Sequence, residues 1–86
     1  MRVALTESFR RSYKKLPGEI QEKADRQIET LAENLRHPSL RVKKIKGTQE
    51  IWEARVDRGY RMTFAVNDGV IILRQVGPHD PTLKRP

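Results

Sequence analysis

The chain has 86 residues and no cysteine, and 18 Lys and Arg against 11 Asp and Glu give it a formal net charge of +7. This length fits a single domain over residues 1–86, since two halves of this size could not each bury a core. The absence of cysteine excludes disulfide frameworks, thiolate nucleophiles and cysteine-zinc sites. The longest apolar run, Val70 to Leu73, is far shorter than the ~20 residues that cross a bilayer. We therefore expect a cytoplasmic protein with no membrane partner.

The positive charge is concentrated in the second half of the sequence. Residues 1–35 carry seven basic and six acidic side chains, whereas residues 36–86 carry eleven basic and five acidic ones. A surface that binds a polyanion, such as nucleic acid, or an acidic protein should therefore be built from the second half.

A short strand and two amphipathic helices are predicted in the first half. The strand covers Arg2 to Leu5, and Thr6 then provides an N-cap hydroxyl for the first helix. Apolar residues recur at helical spacing in both helices. They are Phe9, Tyr13 and Leu16 in the first, and Ile20, Ala24, Ile28, Leu31, Ala32 and Leu35 in the second. Pro17-Gly18 separates the helices, which therefore form a hairpin, and Pro38 ends the second one.

The second half is predicted to form a sheet. Its strands are a basic edge strand from Arg41 to Lys46 closed by Gly47, then Ile51 to Val56, Tyr60 to Val66 and Val70 to Val76. The third alternates apolar and other residues, which indicates one buried face, and Asn67-Asp68-Gly69 is a hairpin turn signal. The fourth is almost continuously apolar, as in a central strand covered on both faces. The tail from His79 to Pro86 is polar and bounded by prolines, which does not favour an ordered element.

These elements predict an α+β fold in the order β-α-α-β-β-β. An N-terminal strand and a helical hairpin precede a three-stranded antiparallel meander, and the helices pack on one face of the sheet.

Five cations with no acid between them form the first candidate site. They are Arg36, Arg41, Lys43, Lys44 and Lys46. On an extended strand such residues would meet nucleic-acid phosphates without reading base sequence. The alternative is a solvated edge strand that lysines protect from aggregation.

Three arginines, one in each of the last three strands, form the second candidate. Arg55, Arg61 and Arg74 interrupt apolar runs, and an unpaired guanidinium is expensive to bury. If they project from the open face of the sheet, they would clamp a phosphate. The alternative is that Glu50, Glu53 or Asp57 pairs with them in structural salt bridges.

His79 and Asp80, just after the last strand, form the third candidate. A histidine exchanges protons near neutral pH, and a neighbouring carboxylate fixes its tautomer. A surface histidine with no role is the alternative. Trp52 and Tyr60, on either side of Arg55, could stack a base, although core packing is the alternative role for Trp52. No residue pattern predicts a metal site or a cofactor.

Several fragments together carry a family resemblance. They are Thr6-Glu7-Ser8-Phe9, Tyr13-Lys14-Lys15-Leu16-Pro17, Leu31 to Pro38, Ile45-Lys46-Gly47, Ile51 to Val56, Gly59-Tyr60-Arg61 and Val76 to Asp80. In order and spacing the chain resembles the RelE/ParE superfamily of small bacterial and archaeal toxins. The element order derived above agrees with that family's fold.

The resemblance implies a toxin held inactive by an antitoxin protein. It also implies a metal-independent endoribonuclease that cleaves mRNA on the ribosome through attack of a 2′-hydroxyl on the adjacent phosphate. On that interpretation Arg61 stabilises the transition state, His79 transfers a proton or contacts the phosphate, and Arg55 is a supporting cation. Lys43, Lys44 and Lys46 would hold RNA, with Arg41 and Arg74 as further contacts.

The sequence also departs from the family pattern. Well-known ribonuclease members carry lysines on the strand where this chain has Glu53 and Arg55, and a tyrosine near the C-terminus where it has Lys84-Arg85. The base would then be His79 or Glu53. A gyrase inhibitor of the ParE type and a catalytically silent binding module are the competing hypotheses.

Overall fold

The computed structural model describes all 86 residues. Its elements in chain order are β1 Arg2–Leu5, α1 Glu7–Lys14, α2 Gly18–Glu33, a 3₁₀ turn Pro38–Leu40, β2 Lys43–Lys44, β3 Trp52–Asp57, β4 Tyr60–Asn67, β5 Val70–Pro78 and α3 His79–Lys84. The α+β class and the predicted order of the main elements are confirmed. No helix has both the length and the apolar character needed to span a membrane.

The five strands form one sheet in the order β1-β5-β4-β3-β2. The antiparallel β3-β4-β5 meander is at its centre, and β1 pairs with β5 in parallel, with the α1–α2 hairpin between these two strands in sequence. The predicted N-cap is present, because the Thr6 hydroxyl accepts a hydrogen bond from the Phe9 backbone N–H at 3.1 Å.

The core lies between the α1–α2 hairpin and one face of the meander. The helices contribute buried Phe9, Ile20, Ala24 and Leu31, and the strands contribute Ala54, Val56, Met62, Phe64, Ile71, Leu73 and Val76. These strand residues alternate with side chains that point away from α1 and α2. The opposite face of the meander is called the open face below, and it carries Glu53, Arg55, Arg61, Thr63 and Gln75.

Three local features differ from the sequence prediction. The basic strand is only Lys43–Lys44, because Arg41 adopts a left-handed conformation at φ 47° and the chain turns again before Gly47 at φ 79°. The tail folds into α3, which packs on β4 and β5. Finally, β5 is covered on both faces only at its C-terminal end, where α3 packs beside Gly77, and Arg74 is exposed at a bulge.

The third helix approaches the sheet closely at one glycine. A Cβ placed on Gly77 would lie 2.8 Å from the Thr82 Oγ1, and Thr82 is buried. The residue opposite Gly77 on β4 is Arg61. One end of the open face is therefore bordered by α3, a helix that the sequence pattern did not predict.

Candidate nucleic-acid interface

Two cross-strand rows of side chains form the open face. In the first row Arg55 of β3 lies opposite Arg61 of β4, which lies opposite Gly77 of β5. In the second row, Lys43, Glu53, Thr63 and Gln75 lie in succession across β2, β3, β4 and β5. Like charges opposite each other on neighbouring strands destabilise a sheet. The first row thus places two arginines directly opposite each other on neighbouring strands.

The guanidinium of Arg61 is held by the turn that joins β3 to β4. Its Nη1 donates hydrogen bonds to the carbonyl oxygens of Asp57 at 2.7 Å and Tyr60 at 2.9 Å, with Arg58 at 3.4 Å. Its Nε lies 3.8 Å from the Glu53 Oε1, and both side chains are largely buried. Arg61 therefore has a fixed position, with Nη1 hydrogen-bonded, Nε facing the Glu53 carboxylate and Nη2 left without a partner in the chain.

Glu53 is an acidic residue within an otherwise cationic part of the open face. Its side chain is 8% exposed, between Lys43 and Thr63 in the second row and against Arg61. This contact matches the salt-bridge alternative for Arg61. The Arg55 guanidinium, on the same face, has no acidic partner, because it forms no ion pair and no hydrogen bond within the chain; the one side-chain hydrogen bond to Arg55 comes from Gln27 and reaches its backbone carbonyl.

His79 is attached to the same turn. Its backbone N–H donates a 2.9 Å hydrogen bond to the Gly59 carbonyl, which places the first residue of α3 beside the β3–β4 turn. The His79 Nδ1 lies 2.8 Å from the Asp80 Oδ1, and the imidazole is about half exposed. The hydrogen bond from His79 lowers the pKa of Asp80 below its ordinary value, and the positive charge that the ring carries when protonated adds to this effect. Asp80 is therefore an anion that orients the ring and leaves Nε2 facing away from it.

Asp57 fixes the turn from its other side. Its carboxylate accepts hydrogen bonds from the N–H groups of Gly59 at 3.0 Å and Tyr60 at 3.1 Å, and Lys23 of α2 lies 3.3 Å away. Burial alone would raise the pKa of Asp57, but these hydrogen bonds and the Lys23 charge outweigh burial and lower it. The turn that holds Arg61 and His79 is thereby tied to the helical hairpin.

Arg74 and the basic segment lie away from this turn. The Arg74 Nε donates to the Pro86 carbonyl at 3.1 Å, and the Thr63 hydroxyl donates to the same oxygen at 2.9 Å. On β2, Lys43 is on the open face beside Glu53, whereas Lys44 pairs with Trp52 on the other face and lies 3.5 Å from Glu50. The remaining cations of the segment, Arg36, Arg41 and Lys46, are exposed in loops.

The structure thus brings Arg55 and Arg61 together on the open face, with Lys43 in the neighbouring row, and it attaches the backbone of His79 to the turn that holds Arg61. It does not bring all five cations of the basic segment onto that face, because the strand is two residues long and its side chains alternate. Sequence reasoning missed the carbonyl groups that hold Arg61. No residue pattern indicates them, since they belong to the backbone of the turn.

Comparison with solved structures finds chains that share this fold. No family model matches the sequence, and no curated protein matches it either. The chain is similar to a chain in the RelB-RelE antitoxin-toxin complex from Methanococcus jannaschii, with 27% identity over 96% of this chain and 99% of that chain and a TM-score of 0.78.

Two further solved structures share the fold at lower identity. The archaeal RelE-RelB complex from Pyrococcus horikoshii OT3 has a chain that is 24% identical over 92% of this chain and 94% of that chain, with a TM-score of 0.73. YafQ from E. coli strain BL21(DE3) is 14% identical over 94% of this chain and 97% of that chain, with a TM-score of 0.79.

Proposed function

Because the chain belongs to the RelE/ParE superfamily of toxins, we propose that it is the toxin of a toxin–antitoxin pair and a metal-independent, ribosome-dependent mRNA endonuclease. The observation that carries the proposal is the arrangement around one turn. Asp57, Arg58 and Tyr60 hold the Arg61 guanidinium through their carbonyl groups, and Gly59 holds the backbone of His79. A cation and a proton-transferring group are therefore fixed to the same four residues.

In this proposal the Arg55 and Arg61 pair binds the scissile phosphate. An anion between two facing guanidinium groups removes the repulsion between them, so the pair favours a bound phosphate over an empty site. Negative charge increases on the phosphate oxygens as the phosphorane forms, and a donor that is already oriented stabilises it without reorganisation. Arg61 supplies that fixed donor through Nη2, and Arg55 supplies a second cation that no hydrogen bond within the chain holds.

His79 is the proposed general base. Its Nε2 accepts the proton of the ribose 2′-hydroxyl while the 2′-oxygen bonds to phosphorus, and the bond from phosphorus to the 5′-oxygen breaks. The 5′-oxygen takes a proton from solvent, so the products are a 2′,3′-cyclic phosphate and a 5′-hydroxyl. Asp80 keeps the proton of the ring on Nδ1. Glu53 is the counter-ion of Arg61 in this scheme, because its carboxylate is buried against that guanidinium.

The proposed partner is a cognate antitoxin protein. The similar chains from Methanococcus jannaschii and Pyrococcus horikoshii OT3 were solved in complexes with RelB. A chain with net charge +7 is suited to a partner with acidic surface, because opposite charges steer the two proteins together. The second proposed partner is mRNA on the ribosome, which the open face would contact through Lys43 and, at its far side, Arg74.

The test is induction of the toxin in a host that lacks the antitoxin, with the 5′ ends of ribosome-bound mRNA mapped. The variants are His79→Ala and, as the matched control, His37→Ala. Both histidines are exposed, but His37 lies before the 3₁₀ turn, where its Nδ1 accepts from the Ser39 N–H at 3.2 Å. Circular dichroism of each purified variant checks that it is folded.

We expect cuts within codons in the ribosomal A site for wild type and His37→Ala, reduced at least about 100-fold by His79→Ala. Growth arrest without mRNA cuts would identify a gyrase inhibitor and overturn the nuclease. Absence of both effects from a folded, expressed protein would leave a binding module.

A further inference from the structure

A cavity of about 340 Å³ opens beside the C-terminal end of β5, between α1 and α3. The end of α1 lines one wall through Ser12 and Lys15, and α3 with its C-cap lines the other through Thr82 and Arg85. Because β1 pairs with β5 only as far as Leu73, the later residues of β5 leave a free edge, and the cavity lies at this edge.

The cavity is lined by two cations and by no acidic side chain. Lys15 and Arg85 are exposed on opposite walls, and neither forms an ion pair within the chain. Two uncompensated cations on either side of a cavity favour an anion between them. The ligand that suits this cavity is therefore negatively charged.

Three further side chains of the lining have polar groups that no residue of the chain satisfies. They belong to Tyr60, Gln75 and Thr82. Thr82 is the most informative, because only 7% of the residue is exposed. Every fully buried polar side-chain atom of the chain has a hydrogen-bond partner, so the unpaired Thr82 hydroxyl is open to solvent at the cavity wall. A largely buried hydroxyl without a partner is costly, and a ligand that accepts its hydrogen bond removes that cost.

The first row of the open face leads to this cavity. Arg55, Arg61 and Gly77 lie in succession across three strands, and Thr82 packs over Gly77. Neighbouring strands are ~5 Å apart, so Thr82 lies within roughly 10 Å of the Arg61 backbone. An RNA strand bound at Arg61 can therefore continue into the cavity.

We propose that this cavity binds the nucleotide next to the scissile phosphate of the RNA. The phosphate of that nucleotide lies between Lys15 and Arg85 and accepts a hydrogen bond from the Thr82 hydroxyl, because all three groups donate to phosphate oxygens. The ring of Tyr60 provides an apolar surface for the ribose or base. The inference rests on the proposed function, since it takes the two facing arginines of the open face as the site of the scissile phosphate.

A nucleotide suits the cavity better than an acidic side chain of a protein. A carboxylate offers two acceptor oxygens, which the Arg85 guanidinium alone can engage as a fork. The Gln75 amide and the Tyr60 hydroxyl would then remain unpaired, whereas the hydroxyl groups of a ribose and the edge of a base can pair with them. The volume of about 340 Å³ also lies within the range of small-molecule sites.

The experiment titrates the purified protein with adenosine 5′-monophosphate and with a single-stranded RNA. Lys15→Gln and Arg85→Gln test the two walls of the cavity. Their matched controls are Lys14→Gln and Lys84→Gln, which remove the same charge one residue away, at exposed positions outside the cavity. Arg55→Gln tests the scissile-phosphate site separately. Backbone amide NMR spectra locate the bound mononucleotide and check that each variant is folded.

We expect each cavity variant to lose about tenfold in affinity for both ligands, because each removes a charge-assisted hydrogen bond, and each control to stay within about twofold. Adenosine monophosphate should shift the amide resonances of Gly77 and Thr82. Equal losses in Lys15→Gln and Lys14→Gln would overturn the inference, because binding would then follow overall charge and not the cavity.

Two further outcomes separate this inference from the proposed function. RNA affinity that falls in Arg55→Gln but in neither cavity variant would overturn the nucleotide site and leave the scissile-phosphate site in place, even if the mononucleotide binds the cavity. Failure of the wild-type protein to bind RNA at all would overturn both.

Discussion

Arg55 of β3 and Arg61 of β4 lie directly opposite each other on the open face of the sheet. Only Arg61 has an acidic neighbour, Glu53 at 3.8 Å, and only Arg61 is held by carbonyl groups. The pair therefore joins a fixed cation to an unpaired one. Repulsion between the two like charges lowers the stability of the free protein, and a bound anion offsets that repulsion.

The first prediction follows from this repulsion. Arg55→Gln should increase the free energy of unfolding by about 0.5 kcal/mol, because it removes one of two facing like charges. The same change should weaken RNA binding and reduce the salt slope of the binding constant by about 1. Urea unfolding and RNA titration at several salt concentrations measure the two effects. Arg26→Gln, an exposed site on α2, should change neither, and a loss of stability in Arg55→Gln would contradict the repulsion.

The second prediction concerns the buried carboxylate beside Arg61. Glu53→Gln should lower stability by about 1–3 kcal/mol, since it removes the counter-ion of a largely buried guanidinium. It should also strengthen RNA binding, because a negative charge next to the proposed phosphate site disappears, while the cleavage rate falls as Arg61 becomes less fixed. Single-turnover cleavage and RNA affinity separate these outcomes. Weaker RNA binding in a folded Glu53→Gln protein would argue against this placement of the phosphate.

The third prediction uses two adjacent lysines on opposite faces of β2. Lys43 lies in register with Glu53 on the open face, whereas Lys44 lies in register with Trp52. Lys43→Gln should weaken RNA binding and reduce the salt slope by about 1, while Lys44→Gln should have little effect. The two variants carry the same charge change one residue apart, so each is the control for the other. Equal losses would show that RNA contacts both faces of this edge.

The fourth prediction is a pH dependence of stability from Asp57. Its pKa is lower in the folded protein than in the unfolded chain, so the unfolded state binds more protons in the pH range between the two values. The stabilisation is complete above about pH 4 and is lost as pH falls through the folded value. Asp57→Asn should cost about 1 kcal/mol at pH 7 and progressively less as pH falls toward 2. Urea unfolding of wild type and Asp57→Asn at several pH values measures the difference between their free energies of unfolding. A difference that does not change with pH would show that the Asp57 charge is not its cause.

The fifth prediction tests how α3 packs on the sheet. Gly77→Ala should destabilise the protein by about 1–3 kcal/mol, because the new methyl group would lie 2.8 Å from the Thr82 Oγ1. The double variant Gly77→Ala with Thr82→Ala removes that contact and should recover part of the loss. Thermal unfolding of the two single variants and the double variant gives the coupling between the sites. If the two single effects simply add in the double variant, the side chains at positions 77 and 82 do not interact.

The sequence by itself determined the elements whose residues carry a local or periodic signal. The apolar spacing in α1 and α2, the Thr6 cap and the Asn67-Asp68-Gly69 turn each depend on neighbours close in sequence, and the structure contains all of them. The residue types of the candidate site were visible in the same way, because isolated arginines in apolar strands and a histidine after the last strand are unusual.

Only the tertiary structure decided which of these residues meet. Strand register sets Arg55 opposite Arg61, and a hydrogen bond from the His79 N–H to the distant Gly59 carbonyl places His79 beside the β3–β4 turn. The length of β2 and the folding of α3 depend on backbone turns and on packing against Gly77, which no periodicity encodes. An apolar groove beside Leu35, Trp52 and Val66 also depends on tertiary structure, because α2 ends at Glu33 and does not cover this part of the sheet.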